Sequence, residues 1–92
     1  METCQEKVKI INKLGMHARA AAVFVQTANK FDNCEIFVSK DSNTVNGKSI
    51  MGLMMLAAAQ GSEILIQVKG RDCQQALESL KQLINDRFGE DE

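Results

Sequence analysis

Apolar residues along this chain change their spacing from segment to segment, and the order of the changes leaves few folds open. Lys7-Val8-Lys9-Ile10 alternates polar and apolar, the two-residue period of a half-buried strand, in a strand-like run that ends at Ile11. From Ala18 to about residue 29, Ala21, Phe24, Val25 and Ala28 recur at helical spacing. A strand follows over 34–39, with Ile36 and Val38 on one face. Asp41-Ser42-Asn43 has turn chemistry, and 44–46 returns as a short strand. Gly47-Lys48-Ser49 opens a second helix over about 50–58, with Ser49 as its N-cap and Gln60-Gly61 as its end. Residues 63–69 alternate again through Ile64, Ile66 and Val68. Asp72 is expected to cap a last helix striped by Cys73, Ala76, Leu77, Leu80, Ile84 and Phe88, which Gly89 stops. The order β-α-β-β-α-β-α predicts one sheet with an apolar face that helices cover.

The middle helix breaks the pattern. Ile50, Met51, Leu53, Met54, Met55 and Leu56 are apolar almost all round, so part of that surface must stay outside the core. With 92 residues the chain suffices for one compact domain, and its four Phe, without Trp or Tyr, leave aliphatic side chains to fill the core. A net charge of −1 gives no basic stripe, which argues against nucleic acid as a partner. The apolar stretch 50–59 is too short to span a bilayer. The start, Met1-Glu2-Thr3-Cys4, lacks the features of a signal peptide, so a cytoplasmic location without membrane insertion is expected. Cys4, Cys34 and Cys73 are far apart and odd in number. Reduced thiols are therefore expected, with Cys34 and Cys73 packed, and one histidine supplies no metal site.

That histidine, His17, lies in Asn12-Lys13-Leu14-Gly15-Met16-His17-Ala18-Arg19, where a turn meets an alanine-rich helix. Unpaired amides and the positive end of the dipole make a helix start an anion site. Both the dipole and Arg19 disfavour a charged ring, and a neutral imidazole is what attack on phosphorus requires. The resulting phosphoryl group would meet the N–H groups of Ala18 and Arg19 and the Arg19 guanidinium. No Asp or Glu is near His17 in sequence to serve as its base. Gly47-Lys48-Ser49 matches only the tail of a nucleotide-binding loop, because Ser42 stands where its first glycine belongs. A nucleophile without a substrate pocket or cofactor motif suits passing a group between proteins, through a transient phosphohistidine rather than as a stand-alone enzyme.

The segment 12–19 resembles the phosphorylation site of HPr, the histidine-containing phosphocarrier family of the bacterial phosphotransferase system. Gly47-Lys48-Ser49-Ile50-Met51-Gly52-Leu53-Met54 resembles that family's second signature, around its regulatory serine. The likeness runs over about 6–88 of a single domain, 1–92. It implies an α+β fold, an open-faced β-sandwich with a four-stranded antiparallel sheet covered on one face by three helices. It implies that His17 accepts phosphoryl on Nδ1 from enzyme I and passes it to a IIA protein or domain, with Arg19 steadying the phosphate. Ile50, Met51, Met54 and Met55 would form the docking patch, where flexible methionines can repack against different partners. Ser49 would be open to an ATP-dependent HPr kinase/phosphorylase, and a transcription regulator is a further partner of such a chain. No cofactor is implied, and a monomer is expected. The other reading is a regulatory interaction module that acts through the Met-rich helix. Residues 12–19 and the acidic end resemble nitrogen-branch carriers, whereas 47–53 resembles sugar-branch carriers.

The family usually has proline where this chain has Ala20, and some relatives have Ser or Thr where it has Ala18. Proline in a first turn fixes φ and removes an N–H that has no helical partner. Ala20→Pro is expected to stabilise the fold by about 0.4–1 kcal/mol, and a thermal melt showing a loss would contradict this.

Overall fold

Alternation builds the sheet as the sequence predicts, but β1 starts earlier and ends at Lys9 rather than Ile11, and the other strands are each one residue longer than expected. The computed structural model describes residues 2–92. β1 (Thr3–Lys9), β2 (Cys34–Lys40), β3 (Asn43–Asn46) and β4 (Glu63–Gly70) form one antiparallel sheet in the order β1-β4-β2-β3. β4 is central on the strength of its own register, pairing Val8 with Ile64 on one side and Ile36 with Val68 on the other. β2 and β3 close the hairpin, from Phe37 opposite Asn46 to Lys40 opposite Asn43. Val8, Ile36, Val38, Ile64, Ile66 and Val68 are buried on one face, while Lys7, Lys9 and Lys69 are exposed on the other.

α1 (Ala18–Ala28) and α3 (Cys73–Asn85) cover the apolar face. α1 buries Ala20, Ala21, Phe24, Val25 and Ala28, and α3 buries Cys73, Ala76, Leu77, Leu80 and Ile84. Side chains of the size of Phe24, Leu80 and Ile84, each fully enclosed, contribute about 1.5–3 kcal/mol apiece through burial. α2 (Ile50–Met55) is the third helix and buries only Leu53. The α+β arrangement and its element order are those expected. Among the described residues, no helix is long and apolar enough to cross a membrane.

Four expectations are corrected. α2 ends at Met55 rather than near residue 58: the Leu56 and Ala57 amides turn back three residues to Leu53 and Met54, and Ala57 lies in the left-handed region at φ 52°. Lys40 Nζ donates to the carbonyls of Leu56 and Ala57, both at 3.4 Å, and so holds this irregular end. Asp72 begins α3 without a side-chain cap, contributing only its backbone carbonyl to the Ala76 amide at 3.0 Å. α3 stops at Asn85, ahead of Gly89, because Arg87 and Phe88 are left-handed (φ 57° and 55°); they bend the chain into a short 3-10 turn that still buries Phe88. Finally, Cys4 and Cys73 are joined in a disulfide, Cα to Cα 5.7 Å, where reduced thiols were expected. Their separation of 69 residues hides that β1 and α3 pack together; Cys34 is free and buried, as expected.

The left-handed Ala57 is exposed, so its Cβ gains no packing to offset the steric cost of that conformation. Ala57→Gly should raise stability by about 1 kcal/mol, read as a higher denaturant midpoint at unchanged slope.

Candidate functional site

The site begins where β1 runs out. The Ile10 amide still donates to the Ser62 carbonyl at 2.8 Å, and the Gly61 amide returns to the Ile10 carbonyl at 2.7 Å. The chain then turns sharply. Gly15 adopts φ +69°, and a Cβ there would lie 2.5 Å from the Ala58 carbonyl oxygen and 2.9 Å from the Ala59 Cα. Only glycine fits both the angle and the approach. The adjacent Met16 amide donates to that same Ala58 carbonyl at 2.9 Å, and the Met16 side chain is buried. The loop after α2 thus fixes the turn that presents the next residue.

That residue is His17, the N-cap of α1, with extended backbone (φ −82°, ψ −179°) and no side-chain cap bond. Its ring is free of the capping task that Ser, Thr or Asp would perform here. The first helical hydrogen bond runs from the Ala21 amide to the His17 carbonyl at 2.9 Å. The Ala18, Arg19 and Ala20 amides precede it, in the turn that a helix leaves unsatisfied. Ala18 and Arg19 are exposed, whereas Ala20 is buried, and proline at Ala20 would remove no bond of the helix.

The sequence reading missed Glu90. From the far end of the chain its carboxylate reaches the site, with Oε2 against His17 Nε2 and Oε1 accepting a hydrogen bond from Asn12 Nδ2 at 2.9 Å. No spacing rule signals this, because 73 residues separate Glu90 from His17. Asn12 is fully buried, and its Nδ2 also donates to the Gly15 carbonyl at 2.8 Å. The tail is held further by the Lys13 amide, which donates to the Glu92 carbonyl, and by an exposed Lys13–Glu92 ion pair at 3.2 Å that adds little. Arg19 lines a cleft of about 510 Å³ together with Lys13, Leu14, Phe88 and the three acidic residues that end the chain. Burial works to raise the Glu90 carboxyl, but hydrogen bonds from Asn12 and His17 and the charges of His17 and Arg19 outweigh it, leaving the group below its ordinary 4.5.

The remaining expected residues fall beside this cluster. Ser49 Oγ accepts from the Gly52 amide at 3.0 Å and is the N-cap of α2. Ile50, Met51, Met54 and Met55 are all exposed, the last at 78%, and Leu14 joins them at 64%. α2, which carries the first four of these side chains, packs against α1, the helix that His17 heads. Among the described residues no cluster of three or more His, Cys, Asp or Glu side chains is placed to hold a metal ion.

The family described as the PTS HPr component phosphorylation site matches residues 4–86. The chain belongs to the HPr family. HPr chains are the phosphocarriers of the phosphotransferase system, and this chain has that function. It is 52% identical to the phosphocarrier protein HPr of Neisseria meningitidis over 96% of this chain and 98% of the relative. It is 50% identical to the HPr-like protein Crh of Bacillus subtilis over 83% and 88%. The fold is that of HPr too: the crystal structure of HPr-C-His from Thermoanaerobacter tengcongensis superposes with a TM-score of 0.91 at 45% identity, covering 97% of this chain and 99% of that one.

A carboxyl lowered on folding contributes stability that is whole above its unfolded value and lost as pH falls through the lower folded one. On acidification through and below 4.5, the wild-type protein should lose more stability than Glu90→Gln, which has no such group to protonate. Thermal melts of both proteins across this range test it; parallel curves would contradict the contact.

Proposed function

We propose that His17 is the residue that carries the phosphoryl group, accepting it on Nδ1 from phosphorylated enzyme I and donating it to a IIA protein or domain. The observation that supports this most is the placing of an uncapped imidazole at the head of α1, with Nε2 held by Glu90 and the amides of Ala18 and Arg19 outside the helical bond pattern. The Nδ1 lone pair attacks phosphorus, the Nδ1–P bond forms, and the donor's bond to phosphorus breaks. The dianionic group then lies at the positive end of the helix, within the reach of the Ala18 amide and the Arg19 guanidinium.

Ile50, Met51, Met54 and Met55, with their exposed side chains, are the proposed docking patch for both partners. Ser49 stands at the head of that patch. A phosphate added there by an HPr kinase/phosphorylase would put charge into an apolar interface and oppose docking of enzyme I. We take the whole chain, 1–92, as one HPr-like domain that works as a cytoplasmic monomer, serving either sugar uptake or the nitrogen-related branch. The likeness to Crh favours a second reading, a regulatory module acting through α2 on a transcription regulator. His17 and Arg19 at the site argue that this is not the sole role.

Phosphoenolpyruvate and enzyme I should place one acid-labile phosphoryl group on the wild-type chain and none on His17→Ala, as seen by intact mass. Equal labelling of His17→Ala would refute the assignment. A hydrogen bond to a charged group contributes about 1.5–3 kcal/mol, so Arg19→Ala should slow transfer by about 10–100-fold.

A further inference from the structure

We infer that Asn12 and Glu90 form a positioning pair that selects which imidazole nitrogen of His17 receives phosphoryl; this rests on the reading of His17 as acceptor. Asn12 is the one polar residue among the buried side chains described, and its Nδ2 reaches two acceptors, the Gly15 carbonyl and Glu90 Oε1. It therefore ties the carboxylate to the same turn that orients His17. Glu90 is itself half-buried, with a side chain only 13% exposed, and its second oxygen faces Nε2. Gly89 (φ 79°) and the left-handed Arg87 and Phe88 bend the chain back to deliver it, with buried Phe88 as the anchor.

An ionised carboxylate can only accept, so the hydrogen between Oε2 and Nε2 belongs to the ring. A neutral imidazole has one N–H. Holding it on Nε2 leaves the lone pair on Nδ1 and denies Nε2 to an incoming phosphorus. During transfer the Nδ1–P bond forms with that lone pair, and the donor's bond to phosphorus breaks with its pair returning to the donor. The His17 ring keeps its Nε2 proton and becomes positive, directly against the Glu90 carboxylate. The return transfer reverses these steps, and no proton has to leave the ring in either direction. The same logic governs a carboxylate that orients a catalytic histidine through its second nitrogen.

The test uses the full chain carrying ¹⁵N-labelled histidine, at a pH above the range in which imidazoles titrate. Wild type should show a single neutral tautomer with the proton on Nε2. Glu90→Ala should show a mixture of tautomers and accept phosphoryl from phospho-enzyme I about 10–100-fold more slowly. Glu90→Gln has one acceptor oxygen where the carboxylate has two, so a donor N–H must face either Asn12 Nδ2 or Nε2; it should not hold the single tautomer that wild type holds and should also transfer more slowly. Circular dichroism of each variant confirms folding, and peptide mapping confirms that His17 carries the group. If Glu90→Ala leaves either the tautomer or the rate unchanged, or if Glu90→Gln keeps both as in wild type, the pair does not position the ring. Phosphoryl mapped to another residue would instead overturn the reading of His17 as acceptor, which separates the two failures.

Discussion

The close approach of the Gly15 turn to the loop after α2 is the constraint on which the site depends. The Ala58 carbonyl occupies the space a side chain at Gly15 would need, and it also receives the Met16 amide. Between them these contacts convert the end of a strand into the start of a helix within a few residues. His17 becomes an N-cap because the turn ends there, and the turn ends there because α2 closes in an irregular loop over Leu56, Ala57 and Ala58. α2, which carries the apolar patch, and α1, which the histidine heads, pack against each other. Their relative placing is a consequence of packing, and it leaves both on the surface where another protein can reach them.

Electrostatics at His17 then combine two opposed influences. A helix start and Arg19 favour an anion, whereas Glu90 brings a carboxylate to the same ring. The conflict is resolved by geometry. Glu90 contacts Nε2, and the helix amides lie on the chain that follows His17, so the influences act at different places. A surface carboxylate could not do this reliably, since exposed ion pairs are worth little. Asn12, buried and hydrogen-bonded to both Gly15 and Glu90, gives the contact its direction.

Periodicity was enough to reveal the strands and the two long helices, since residues such as Ile64, Ile66 and Val68, or Ala76, Leu80 and Ile84, mark one face without reference to any neighbour. The head of α1 was legible for the same local reason: Gly15, His17 and the alanine run are contiguous. What escaped were features set by contacts distant in sequence or by backbone angles that side-chain pattern does not encode. Glu90 escaped because nothing in Glu90-Asp91-Glu92 announces a partner near residue 12. Cys4 and Cys73 looked independent until β1 and α3 were seen side by side. Ala57, Arg87 and Phe88 are not residues from which left-handed conformations would be inferred, and they are where the expected helix ends proved wrong.

The acidic tail poses a physical problem for a phosphoryl carrier, because it brings negative charge to a group that must itself become dianionic. The arrangement answers it by using two edges of one ring. The carboxylate faces Nε2, and the proposed phosphoryl position is Nδ1 on the other side of the imidazole. When the ring becomes positive on phosphorylation, the cation lies between the two anions and attracts both. Arg19, in the cleft beside the tail, adds a second positive charge to the same neighbourhood. The tail is thus compatible with the phosphorylated state because of where it touches the ring; moved to the other nitrogen, the same carboxylate would compete with the group being carried.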